Sequence, residues 1–130
     1  MKLQIFGRIP SLKNQKHSMC LPIKGSKLSK YRSIVFVSAT YRTWEKEQLE
    51  YLAQNYKVET PIERCSIVAT LFRPDARKTD LINKMEGPLD LLVNAGILSD
   101  DNCEVVTSLT MVNGSIDREN PRLEIEIIEI

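Results

Sequence analysis

Residues 73–102 read RPDARKTDLINKMEGPLDLLVNAGILSDDN. A basic loop holding Arg73, Arg77 and Lys78 leads to Asp80, where a helical pattern begins, and Gly96 suits the C′ position that ends it. Leu81, Ile82, Met85, Leu89, Leu92 and Val93 supply the apolar side of a helix over 80–95. Gly87-Pro88 falls inside it, and proline removes a hydrogen bond and crowds the preceding turn, so a kink or break is expected there. At about 100° per residue, Asp80, Asn83, Glu86 and Asp90 share the polar face. Asp90 lies about 15 Å along the axis from Asp80, too far to share one ion with it. Asp80 and Glu86 are then the helix's candidate metal ligands, with Asp100 or Asp101 folding back beside them. The same residues have ordinary structural uses, Asp80 as an N-cap and Asp100-Asp101-Asn102 as a turn.

Working outward, residues 65–72 (CSIVATLF) are apolar on both faces and predict a strand buried on both sides. Ser38 is a helix N-cap for residues 39–56, an amphipathic segment whose apolar side carries Tyr41, Trp44, Leu49 and Leu52 but is interrupted by Glu45 and Gln48. Residues 2–8 and 31–37 read as strands, while 9–29, punctuated by Pro10, Pro22 and Gly25, read as a long lysine-rich loop or hairpin. Strands are also predicted over 104–112 and 123–130, with Asn113-Gly114 as a turn signal after the first. The order β-β-α-β-α-β-β gives a mixed α/β (α+β) fold, a sheet of about four to five strands with two main helices. At 130 residues, one domain spanning 1–130 is expected.

Composition, 42% hydrophobic and 27% charged, is that of a soluble globular chain, and no apolar run is long enough to span a bilayer. With no signal-peptide pattern, a cytoplasmic location is expected. Cys20, Cys65 and Cys103 are far apart, and with His17 the only histidine they read as reduced thiols, not zinc ligands. The net charge of +1 conceals an asymmetry: residues 1–44 carry nine basic side chains and no acidic one. Such a segment is the footprint of a polyanion-binding surface or a solvated basic arm. No glycine-rich phosphate loop or GxSxG elbow is present, so neither a nucleotide cofactor nor a serine nucleophile is expected.

Carboxylates flanked by cations suit phosphodiester hydrolysis. A hard cation held by one or two carboxylates polarises the phosphate and activates water, and a neighbouring Lys or Arg offsets developing charge. Here Arg77, Lys78 and Lys84 flank Asp80.

The landmarks Pro10-Ser11-Leu12-Lys13-Asn14, Arg73-Pro74-Asp75, Lys78-Thr79-Asp80-Leu81-Ile82-Asn83, Asp90-Leu91-Leu92, Ala95-Gly96, Ser99-Asp100-Asp101 and Pro121-Arg122-Leu123-Glu124-Ile125 resemble, in order and spacing, the RusA family of phage and prophage Holliday-junction resolvases. The resemblance implies a homodimeric, Mg²⁺-dependent endonuclease that nicks branched DNA symmetrically in recombination and repair. Mn²⁺ is the expected substitute, and acidic residues at Asp80 and Asp101 are the catalytic ones. The chain departs from the family at Ile82, where a second aspartate is expected, and at Glu86, where a catalytic lysine is expected. Glu86 is then a replacement ligand, and Lys84 or Lys78 the replacement cation. Expected metal ligands are Asp80, Glu86, Asp100 and Asp101, and expected catalytic residues Asp80, Asp101, Glu86 and Lys84. Expected DNA contacts are Lys13, Asn14, Lys16, Lys24, Lys27, Arg73, Arg77 and Lys78. The alternative is a catalytically weakened or inactive DNA-binding relative, and another is a structural phage protein without junction preference.

Overall fold

The computed structural model describes residues 1–25 and 31–130. The elements are β1 (Lys2–Phe6), α1 (Leu12–Gln15), β2 (Lys16–Pro22), β3 (Tyr31–Val37), α2 (Ala39–Asn55), β4 (Cys65–Arg73), a 3-10 turn (Ile82–Lys84), α3 (Glu86–Asn94), β5 (Val106–Ile116) and β6 (Arg122–Glu129). A four-stranded mixed sheet has the order β1-β6-β4-β5, and β2 and β3 form a separate two-stranded sheet. The expected mixed fold with two main helices, and the expected order of strands and helices, are therefore found. The basic stretch after residue 9 holds more order than a loop: α1 and β2 lie in it, and β2 is satisfied by antiparallel pairing with β3 despite being exposed along nearly its whole length.

β4 and β5 run parallel, which requires a crossover, and α3 provides it. β6 lies between β1 and β4, antiparallel to both. Alternate residues of β4 (Cys65, Ile67, Ala69, Leu71) face the core, whereas Ser66, Val68 and Thr70 on the other face are only half-buried. The expectation of two-sided burial is corrected: both helices pack on one face, so the sheet is covered once. Leu52 of α2, with Leu91 and Leu92 of α3, closes the core against Ile5, Ile67, Leu123, Ile125 and Ile127.

The Ser38 hydroxyl accepts from Tyr41 N–H at 3.1 Å, as its N-cap role requires. Gln48 interrupts the apolar side of α2 for a reason. Its buried amide pairs with both backbone groups of Phe6 (3.3 Å as acceptor, 3.1 Å as donor), satisfying the end of edge strand β1.

The segment 80–95 is not one helix. The chain makes a 3-10 turn at Ile82–Lys84 and α3 starts at Glu86. Pro88 then falls in the first turn of α3, where backbone N–H groups lack intrahelical acceptors, so its missing N–H costs nothing. Gly96, at φ +72, ends α3 as expected. Asn113-Gly114 is not a turn but part of β5.

Candidate active site: a carboxylate cluster beside a basic cavity

The 3-10 turn that ends at Lys84 separates Asp80 from the rest of the polar face. Asp80 is exposed and accepts from Asn83 Nδ2 at 3.2 Å; it caps no helix. Glu86 and Asp90 stand four apart on α3, on one face, one turn from each other. The loop after α3 brings Asp101 to them. Burial, then the charges of Asp101 and Glu86, push the Asp90 carboxyl above its ordinary range, against the opposing pull of Lys16. Asp90, set aside by helical geometry because of its distance from Asp80, therefore belongs with Glu86 and Asp101. Its four-residue spacing from Glu86 was the available signal.

The two neighbouring aspartates divide the work. Asp100 builds the turn, accepting Asp101 N–H at 2.7 Å and Asn102 Nδ2 at 2.6 Å. Asn102 accepts in turn from Glu104 N–H at 2.9 Å. Asp101 is exposed, and among the described residues its carboxylate makes no salt bridge or side-chain hydrogen bond.

The cation at this cluster comes from β2. Lys16 Nζ lies 3.3 Å from Glu86 Oε1, across 70 residues of sequence. Lys84, the expected replacement, instead donates to the Ile9 carbonyl at 2.8 Å. Its half-burial and the nearby Arg8 guanidinium lower its pKa. Beneath the cluster, Tyr41 carries a buried hydroxyl without a partner among the described residues. A Cβ on Gly87 would stand 2.7 Å from that hydroxyl, so glycine is what lets α3 begin against the ring. Burial, then Glu45, Asp90 and Glu86, push the Tyr41 pKa up.

A second feature lies on the other side of Asp80 in the chain. A cavity of about 230 Å³ is walled by Asn14, Arg73, Arg77 and Lys78, all expected DNA contacts, and by Arg8 and Lys84. Lys13 is exposed on α1 and Lys24 exposed beyond β2; Lys27 lies outside the described residues.

Mg²⁺ takes hard oxygen donors and is commonly held by one or two carboxylates with its own waters. Among the described residues no three His, Cys, Asp or Glu side chains converge as a ready cage. Glu86 and Asp101 carry hard carboxylate oxygens of the kind such an ion takes.

The family model of endodeoxyribonuclease RusA matches residues 22–128, nearly the whole chain. The chain belongs to the RusA endodeoxyribonuclease family. No curated protein matches the sequence. No helix among the described residues is long and apolar enough to cross a membrane.

Proposed function

We propose that this chain is a Mg²⁺-dependent endonuclease that resolves four-way DNA junctions by paired nicks, acting in recombination and repair. The observation that carries the reading is the Lys16–Glu86 ion pair beside Asp90, whose carboxyl also feels the charge of Asp101; all three carboxylates lie inside the family-matched region. Asp101 and Glu86, with Asp80 ahead of the 3-10 turn, are the residues that would hold Mg²⁺, or Mn²⁺ in its place. Bound there, the ion would polarise a phosphate and support an activated water. The chain's own part is positional. Lys16 takes the role of the lysine missing at Glu86, offsetting charge on the phosphoryl oxygens. Asp100 holds the turn that presents Asp101. The basic arm, with Lys13 and Lys24, binds phosphates and makes affinity salt-sensitive. A synthetic four-way junction incubated with the protein and Mg²⁺ or Mn²⁺ should yield symmetric nicks, with matched duplex left intact. Binding without cleavage in either metal would leave only the inactive DNA-binding relative.

Paired nicks need two sites related by a two-fold axis, which an isologous dimer supplies. β6 is interior to the sheet, so of the two closing strands only β5 offers an edge. β5 is eleven residues long, bears no charged side chain, and exposes Leu109, Val112 and Ile116. Charged edge residues ordinarily discourage strand pairing, and their absence here favours pairing with a second copy. Sedimentation should give twice the 14.9 kDa chain mass, and Val112→Lys should give the single mass. A Val112→Lys protein that stays dimeric places the contact elsewhere.

A further inference from the structure

The cavity beside the 3-10 turn collects five cationic side chains, Arg8, Arg73, Arg77, Lys78 and Lys84, against one carboxylate, Asp75. Such a concentration repels itself and needs anionic company. Asp75 answers only part of it. Its carboxylate accepts from the Arg77 backbone N–H at 3.0 Å and from Arg8 Nη2 at 2.5 Å, which hold its carboxyl below the usual range. Arg73 Nη1 donates to the Arg77 carbonyl at 2.7 Å, fixing the guanidinium in the wall. Its Nε is buried with no acceptor among the described residues. A buried donor without a partner is a standing cost of about 1–3 kcal/mol.

Neutral donors complete the lining. Ser11 is buried and its side chain caps nothing, although it stands at the N-cap of α1. Asn14 and Thr79 also face the space. Donors of this kind, set among guanidinium and ammonium groups, match the several acceptor oxygens of a phosphate. The chain segments converging here are three of the landmarks read from sequence: the loop at 10–14, Arg73-Pro74-Asp75, and Lys78-Thr79. The last of these runs directly into Asp80.

We infer that this cavity is a seat for one internal DNA phosphodiester, next along the strand from the one to be cut, that sets the register of the strand over Asp80. The inference rests on the junction-nuclease reading, but its test does not require cleavage. Junction binding is measured by fluorescence anisotropy in EDTA across a salt series, for wild type, Lys84→Met and the exposed-site variant Lys78→Ala. Each variant should bind about tenfold more weakly, with the salt slope smaller by about one.

A set of junctions carrying single methylphosphonates then locates the contact. At one position near the cleavage site, neutralising the phosphate should weaken wild type as much as the variants are weakened, and should weaken the variants no further. If every position affects wild type and both variants equally, the seat is disproved, whether or not the protein cuts DNA. If only removal of a 5′-terminal phosphate abolishes the difference, the internal-diester assignment is overturned. Cleavage that fails while one methylphosphonate position remains coupled to Lys78 overturns the nuclease and leaves the seat standing.

Discussion

Asp101→Asn is expected to lower junction cleavage by at least about 100-fold while leaving junction affinity in EDTA within about threefold of wild type. The change keeps the side chain's size and deletes one charge. Asp101 is exposed and forms no side-chain bond in the fold, so the turn built by Asp100 and Asn102 survives it. Its charge acts on Asp90, and deleting it relieves a repulsion, so thermal stability should not fall. The two readouts must separate: rate lost, fold and affinity kept. Near wild-type cutting by Asp101→Asn would remove Asp101 from the chemistry and shift attention to Glu86 and Asp90.

Gly114→Ala should destabilise the protein by about 1–3 kcal/mol, the usual cost of forcing an extra group into packed structure. For a chain of this size the melting temperature falls by roughly 3–12 °C. A Cβ at position 114 would lie 2.7 Å from the Leu71 carbonyl oxygen and 3.1 Å from two atoms of the Phe72 ring. The carbonyl belongs to the central strand and cannot retreat, and the ring is held by Arg122, whose guanidinium carbon sits 4.0 Å from its centroid. The ladder between β4 and β5 shifts register between Leu71 and Arg73, next to the same contact. An unchanged melting temperature for Gly114→Ala would mean that this close approach is relaxed in solution.

Gly114 also shows where sequence reading reaches its limit. Asn-Gly is a strong turn signal because both residues tolerate positive φ, but glycine also serves a strand wherever a neighbouring backbone comes too near for a Cβ. The two uses look alike in one dimension. Gly87-Pro88 is a similar case: its helix-breaking tendency was legible, but not that the break would fall before it, converting an interior proline into a first-turn one. Elements defined by local pattern were read well, among them Ser38 as a cap, Gly96 as a terminator and the alternation of β6. The loop-or-hairpin reading of residues 9–29 leaves β2 without bounds, because the strand buries almost nothing and its sequence carries no period of two.

The site divides along the same line. Asp101 and Glu86 were visible as carboxylates near a helix. Asp90 was excluded by a distance measured along a helix that does not extend to Asp80. Lys16 as the partner of Glu86, and Arg8 as a wall of the basic cavity, depend on contacts across 70 and 67 residues that no local spacing reveals.

The bond between Lys16 and Glu86 joins the two-stranded sheet to α3 through one shared charge. Both side chains are about half exposed, so the pair adds little to stability and is readily exchanged. An anion that draws the ammonium away leaves Glu86 in need of another counter-ion. By linkage, whatever cation fills that need binds more tightly once Lys16 is engaged elsewhere, and the reverse holds equally. Were Lys16 handed from Glu86 to a phosphate, polyanion and cation would act as mutual effectors, each raising the other's affinity.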